Sequence, residues 1–195
     1  GTYGSAEEPV DLGSGGGSAL GGAGGGAIRL DVSDTLTNNG IITANGANSN
    51  YPNIGGGSGG SIYVTTQSLA GSGNFTANGG NSGNSGGGGG GGRIAIYYQT
   101  SFFAGTVEAN GGTGANNGQD GTAGLFDTTN NILYVVNYFR FQENDGPFNF
   151  TQVIVNNARV SLGGNVTLSG VSTLILENHS TFLLTGEETP QGVIN

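Results

Sequence analysis

The sequence predicts an all-β fold, a parallel β-helix or solenoid that contains ordered glycine-rich segments with an extended or polyproline-II-like backbone. Three observations predict it. A repeat of about 33 residues keeps its register over several copies, its apolar residues alternate as in strands, and glycine tracts recur at the same place in each copy. Helix is not expected, because apolar residues at helical spacing are always interrupted by Gly or β-branched residues.

The repeat is visible in three segments, residues 25–46, 59–80 and 91–112. Each begins with Gly-Gly, continues through an alternating strand, a polar corner and a second short strand, and reaches Ala-Asn-Gly. A fourth, degraded copy is expected at 123–136. Because each turn of a parallel β-helix lies over the one below, equivalent residues should stack. The sets expected to stack are Ile28, Ile62 and Ile94, and Thr43, Thr76 and Glu108.

The glycine tracts lie between the copies, in "ANSNYPNIGGGSGG" (47–60) and "NSGNSGGGGGGG" (81–92). A free linker need not keep phase with its neighbours, whereas these tracts always directly precede a strand. Seven extended residues span about 22 Å, which is close to the length of a strand. The favoured interpretation is an ordered wall made of glycine, and the alternative is a flexible excursion.

The second half has a shorter rhythm. "VIVNNARVSL" (153–162) matches "LILENHSTFL" (174–183) at an offset of 21, which predicts Asn157 over Asn178, as an asparagine ladder, and Leu162 over Leu183. The chain is therefore divided into a glycine-rich solenoid with the long repeat, a joint, and compact β-helix coils. The predicted bounds are 1–136, 137–150 and 151–195.

Composition bounds the function. There are 13 acidic residues against four arginines, lysine and cysteine are absent, and glycine accounts for 43 of 195 residues. Nucleic acid and anionic membrane surfaces are not expected partners, since both require a basic surface. No apolar run approaches the roughly 18–20 residues of a membrane span. Low charge with abundant Gly, Asn, Ser and Thr favours an extracellular or cell-surface location, and a chain that begins at Gly1 is expected to come from a longer precursor.

The motifs "GGGSGGSIYVTT", "GSGNFTANGG", "GGGGGGGRIAIYY" and "AGTVEANGG" resemble the glycine-rich parallel β-helix regions of very large secreted surface proteins, adhesin-like, of bacteria and protists. The resemblance covers roughly residues 20–136. It implies an extracellular structural or adhesive role, and it brings no catalytic residue with it.

No catalytic residue, cofactor or metal site is predicted, so the chain is not expected to be an enzyme. Glycoside hydrolysis requires two facing carboxylates, and none of the close acid pairs suits that arrangement. A lone Asp120 in "GGTGANNGQDGTAG" does not form the tandem calcium repeat of β-roll proteins. A polysaccharide-active β-helix enzyme remains the least favoured class. The pairs considered are Asp31/Asp34, Glu143/Asp145 and Glu187/Glu188.

Two kinds of surface site are predicted. Strand parity directs Tyr63 and Tyr97 outward on adjacent turns, where they are candidates for stacking on a glycan in a carbohydrate-binding module. Four Asn-x-Ser/Thr sequons are candidate N-glycosylation sites if the protein is a secreted glycoprotein. The expected partners are copies of the chain itself, stacked end to end as a filament, and an extracellular polysaccharide. The sequons are Asn74, Asn149, Asn165 and Asn178.

Overall fold

The computed structural model describes residues 4–83, 85–142, 148–163, 166, 168 and 170–184, and every regular element within them is a β-strand. All neighbouring strand pairs but one are parallel. The prediction of an all-β, largely parallel structure is therefore confirmed. The described part of the chain contains no helix long and apolar enough to cross a membrane.

Fourteen strands form three sheets in the described part of the chain. The largest sheet has the order β1-β3-β5-β8-β9-β11-β13, with β6 also paired to β3, and the two smaller sheets have the orders β2-β4-β7 and β10-β12-β14. The strands are β1 (Ala27–Thr37), β2 (Ile41–Thr43), β3 (Ser61–Gly71), β4 (Asn74–Thr76), β5 (Arg93–Tyr98), β6 (Thr100–Phe103), β7 (Thr106–Glu108), β8 (Thr122–Asp127), β9 (Ile132–Val135), β10 (Tyr138–Phe141), β11 (Gln152–Asn156), β12 (Arg159–Leu162), β13 (Thr173–Glu177) and β14 (Thr181–Leu184).

The register of the long repeat is confirmed. Ile62 pairs with Ile28 on one side and with Ile94 on the other. In the β2-β4-β7 sheet, Thr76 likewise pairs with Thr43 on one side and with Glu108 on the other. The alternation of apolar and polar side chains explains this register, because a slip of one residue would turn the apolar side chains to the opposite face.

The expected fourth copy reverses direction. Its first strand, β8, continues the parallel order, and Ala123 occupies the place of Ile94. The chain then turns at Asp127, whose Oδ1 accepts the N–H groups of Thr129 (2.9 Å) and Asn130 (3.0 Å), and β9 returns antiparallel to β8. Residues 123–136 therefore form a hairpin rather than another full turn.

The large sheet has apolar clusters on opposite faces in its two halves. Ile62 and Ile94 belong to the cluster of the first half. Tyr63, Phe126 and Leu133 belong to the cluster of the second half. Successive side chains along a strand point to opposite faces of the sheet. The outward face of β3 and β5 is therefore continuous with the core of the second half.

The second-half register is only partly as predicted. The offset of 21 holds between β11 and β13, where Val153 pairs with Leu174. It becomes 22 between β12 and β14, so that Leu162 pairs with Leu184 and the predicted pairing with Leu183 is wrong. The cause is one extra residue in the second corner, since two residues separate β11 from β12 and three separate β13 from β14.

The glycine tracts form a hydrogen-bonded wall. We call its four aligned segments rungs one to four, residues 20–26, 54–60, 86–92 and 115–121. The N–H of Ser61 donates to Gly26 O (3.0 Å), that of Arg93 to Gly60 O (2.9 Å) and that of Thr122 to Gly92 O (3.0 Å), which fixes the alignment. The wall packs on the Ala-Asn-Gly segments, which we call the facing layer (44–49, 77–82 and 109–114).

Hydrogen bonds within the wall recur at every third residue. In rung three, Gly88 and Gly91 donate to the next rung, at Asn116 O (2.9 Å) and Gln119 O (2.8 Å). Gly89 and Gly92 donate to the facing layer, at Gly80 O (2.9 Å) and Ala77 O (2.7 Å). A repeat of three residues is the period of polyproline II, whose backbone has no internal hydrogen bonds and donates outward on three sides.

Candidate functional site

Glycine is required in the wall by close approach, not by backbone conformation. No residue of rungs two to four has a positive φ. A Cβ at Gly89 would lie 2.0 Å from Gly57 O, and one at Gly88 would lie 2.0 Å from Gly112 O. At Gly87, the third position of the three-residue period, an added Cβ would have its nearest atom 3.8 Å away. The wall therefore forbids a side chain at two positions in three and permits one at the third.

Both ends of the wall have side chains where the inner rungs allow only glycine. In rung one, the exposed Ala23 aligns with Gly57, whose Cβ would meet Ala23 O at 2.0 Å. In rung four, Asn117 and Asp120 align with Gly88 and Gly91, and their Oδ1 atoms accept the N–H groups of Gly114 (3.1 Å) and Gly111 (3.0 Å). A further glycine rung would collide with these side chains, so each end is closed.

An asparagine ladder runs along the facing layer. The N–H of Asn78 donates to Asn45 Oδ1 (2.6 Å), and the N–H of Asn110 donates to Asn78 Oδ1 (2.7 Å). The Nδ2 of Asn137 extends the ladder to Asn110 Oδ1 (2.7 Å). The ladder expected at Asn157 and Asn178 has a different form, because Asn178 Nδ2 donates to Asn156 Oδ1 (2.9 Å).

Tyr63 and Tyr97 are on the predicted face, but they do not form an open platform. Their ring centroids are 5.7 Å apart, and Tyr97 stacks on Phe126 at 4.3 Å. The N-terminal segment covers them, since Ala6 belongs to the same buried cluster and Tyr97 Oη donates to Glu7 O (3.0 Å). Burial, followed by the nearby charge of Glu7, raises the pKa of Tyr97 well above its usual value.

The sequons differ in accessibility. Asn149 and Asn178 are exposed, and Asn178 has a left-handed φ of 49°. Asn74 is half-buried inside β4, and its Oδ1 accepts the hydroxyl of Thr106 (3.0 Å). Asn165 lies outside the described residues. Exposure favours Asn149 and Asn178 as the candidate acceptors.

Of the acidic pairs considered for catalysis, only Asp31/Asp34 lies within the described residues, and Asp31 there has other partners. Asp31 instead accepts a hydrogen bond from Arg29 Nε (2.9 Å) and from Thr65 Oγ1 (2.8 Å), and these bonds lower the pKa of Asp31. Glu143, Asp145, Glu187 and Glu188 lie outside the described residues.

A cleft of about 280 Å³ lies between the outer side of the wall and the outward face of β10. Phe139 and Phe141 point into the core, so Tyr138, Arg140 and Gln142 point into the cleft. The opposite side consists of rungs two to four, with the side chains of Gln119 and Asp120, and of the N-terminal residues Asp11, Leu12 and Ser14. No motif in the sequence indicated this cleft, because its two sides come from the predicted joint and from the glycine tracts.

Three of the four arginines lie on or beside this cleft. Arg159 forms an ion pair with Asp120 and lies over the Tyr138 ring, 5.4 Å from its centroid. Arg93 donates to the Gly4 carbonyl. The buried Nε of Arg140 has no hydrogen-bond partner in the described part of the chain. Among the described residues, no carboxylate forms an ion pair with Arg140, whose side chain lines the cleft.

Comparisons with protein-family models, with curated proteins and with solved structures give no match for this chain.

Proposed function

We propose that this chain is an extracellular structural or adhesive β-solenoid, a building block of a surface fibre or rod with no catalytic role. The observation that supports the proposal is the register of the repeat, with Ile28, Ile62 and Ile94 on adjacent strands one repeat apart. In this proposal the parallel strands before and after the β8–β9 hairpin are two windings that share the large sheet, and each winding has one of the small sheets as a further face. In such a structure, backbone hydrogen bonds join neighbouring strands along the whole length, which provides the stiffness that a module at a cell surface requires.

The glycine wall supports a mechanical role within this proposal. We assign its rungs a polyproline-II-like conformation, on the basis of hydrogen bonds at every third residue. Close backbone contacts then add Cα–H···O interactions of about 0.5–1 kcal/mol each. Because the wall and the strands are both hydrogen-bonded, few segments are open to cleavage by a protease.

Copies of the chain remain the proposed partners, with the contact restricted to sheet edges. The closed ends of the wall oppose stacking of one glycine wall on another. β1 is instead an 11-residue strand at the edge of the large sheet, with β3 as its partner on one side. Such an edge is a template for strand addition. Sedimentation should show association that increases with concentration, and a monomer at all concentrations would contradict this contact.

Single-molecule pulling tests the structural function. The module, tethered at its two ends, should resist extension until cooperative rupture, because rungs and strands unfold together. Extension of the glycine tracts at low force before any rupture would show that they are linkers, and it would contradict the proposal. Antibody labelling of intact cells that make the protein tests the extracellular location, and labelling only after permeabilisation would contradict it.

A carbohydrate-binding module is the second candidate function. The observation that favours it is the cleft beside Arg140, since Tyr63 and Tyr97 are covered. A polysaccharide-active enzyme remains less favoured, because Asp120, one of the two carboxylates that line the cleft, is already paired with Arg159.

A further inference from the structure

We propose that the cleft beside Arg140 binds a sugar that has a carboxylate, such as a uronic acid residue of an extracellular polysaccharide. This inference deepens the second candidate function and leaves the structural role untouched. It begins with Arg140, whose Nε is buried and has no partner in the described chain. A charged donor without an acceptor is costly, and because Arg140 lines the cleft, its other guanidinium donors can take an acceptor supplied from outside.

The geometry of β10 presents this guanidinium to the cleft. Arg140 pairs in register with Ser161, and the neighbours Phe139 and Phe141 are fully buried on the other side of the strand. A planar guanidinium binds a carboxylate through two parallel hydrogen bonds, which a hydroxyl group does not match. The arginine therefore selects for an acidic group.

The wall supplies backbone donors on the opposite side. The N–H of Ser58 donates to Ser14 O (2.9 Å), in the segment 13–16 that lies over the outer side of the wall. Gly90 and Gln119 align with Ser58 in rungs three and four, and both line the cleft. Neither amide has a backbone acceptor among the described residues. Because they align with Ser58, their N–H groups are available to a ligand oxygen in the place that Ser14 O has at rung two.

Apart from the carboxylates of Asp11 and Asp120, the latter paired with Arg159, the remaining lining suits a hydroxylated ring. Gln119 can donate and accept, and Tyr138 has one face under Arg159 and its hydroxyl 2.6 Å from Ser161 Oγ. The cleft volume of about 280 Å³ is just below the roughly 300–1,000 Å³ of drug-sized ligand sites. One sugar residue of a longer chain fits this size. An acidic peptide would bring the carboxylate without ring hydroxyls, and the test below separates the two.

Calorimetry at low salt with tri-galacturonic acid tests the site, with neutral galactotriose and poly-L-glutamate as comparison probes. Wild-type protein should bind the acidic trisaccharide at millimolar concentration or below and bind the other two at least tenfold more weakly. Arg140→Gln should weaken binding by tenfold or more, because the bidentate pair is lost. Arg29→Gln, on the distant β1, should leave binding unchanged.

A second measurement guards against a folding defect in the variant. In the wild-type protein, the amide resonances of Gly90 and Gln119 should shift on titration with tri-galacturonic acid, and that of Gly87 should not. Absence of binding to wild type, equal binding by Arg140→Gln, or equal binding of poly-L-glutamate would overturn the proposal. Each of these results would leave the register and the wall intact, so failure of the cleft is distinguishable from failure of the structural function.

Discussion

Replacement of Gly89 by alanine is expected to destabilise the fold strongly, whereas the same change at Gly87, two residues earlier, is not. The added Cβ at Gly89 would lie 2.0 Å from Gly57 O, 2.5 Å from Gly57 C and 3.0 Å from Ser58 N, all of them backbone atoms of the preceding rung. Carbon contacts are optimal near 3.5 Å, so rungs two and three must separate by about 1.5 Å.

That separation breaks hydrogen bonds between the rungs. The bonds from Gly56 N–H to Gly87 O (3.1 Å) and from Gly59 N–H to Gly90 O (2.9 Å) would lengthen to about 4.4–4.6 Å, beyond hydrogen-bond distance. Each contributes about 0.5–1.5 kcal/mol. With about 1–3 kcal/mol for overpacking, the expected loss is about 2–6 kcal/mol of unfolding free energy.

Gly87→Ala is the matched control. Its Cβ has Asn116 O at 3.8 Å as the nearest atom, an ordinary contact. Because alanine also restricts the unfolded chain, this variant should equal wild type or gain up to about 1 kcal/mol. Urea unfolding followed by far-UV circular dichroism measures both. A Gly89→Ala variant as stable as Gly87→Ala would refute the close-packed wall.

Three further outcomes are expected. Phe75→Ala should cost about 3–5 kcal/mol in urea unfolding, because the ring is fully buried, whereas Phe102→Ala, at 79% exposed, should stay within about 0.5 kcal/mol, and equal effects would contradict the assigned core. Asn78→Ala should cost about 1–2 kcal/mol by interrupting the ladder, with the exposed Asn50→Ala near zero, and a neutral Asn78→Ala would remove the ladder from the account. Stability should fall as pH rises above about 10, because burial raises the pKa of Tyr97 and Tyr98 in the folded state while unfolded tyrosine ionises near 10, so that the native state binds more protons; a flat alkaline profile in thermal melts would contradict their burial.

Sequence reasoning reached the register because the repeat and the strand alternation report the same geometry. Ile28, Ile62 and Ile94 could be aligned by eye, since apolar residues that stack must recur at one place in each copy. The reversal of chain direction at Asp127 was not predicted, because the residue pattern of a strand such as Thr122–Asp127 is the same whether the next strand is parallel or antiparallel. The slip between Leu162 and Leu184 followed from a single extra corner residue, which an ungapped offset does not reveal.

The sites were harder to predict than the fold for a different reason. Parity gave the correct face for Tyr63 and Tyr97, but parity says nothing about a distant segment, and residues 6 and 7 cover that face. The cleft beside Arg140 depends on two regions brought together in space. One signal was readable in advance, namely that Asn117 and Asp120 interrupt the glycine phase in the last rung.

Residue-resolved amide hydrogen exchange across residues 86–92 tests the ordered wall most directly. The account predicts protection with a period of three: slow exchange at Gly88, Gly89, Gly91 and Gly92, which donate to backbone carbonyls, and fast exchange at Gly87 and Gly90. Uniformly fast exchange over the seven glycines, or protection without that period, would contradict it.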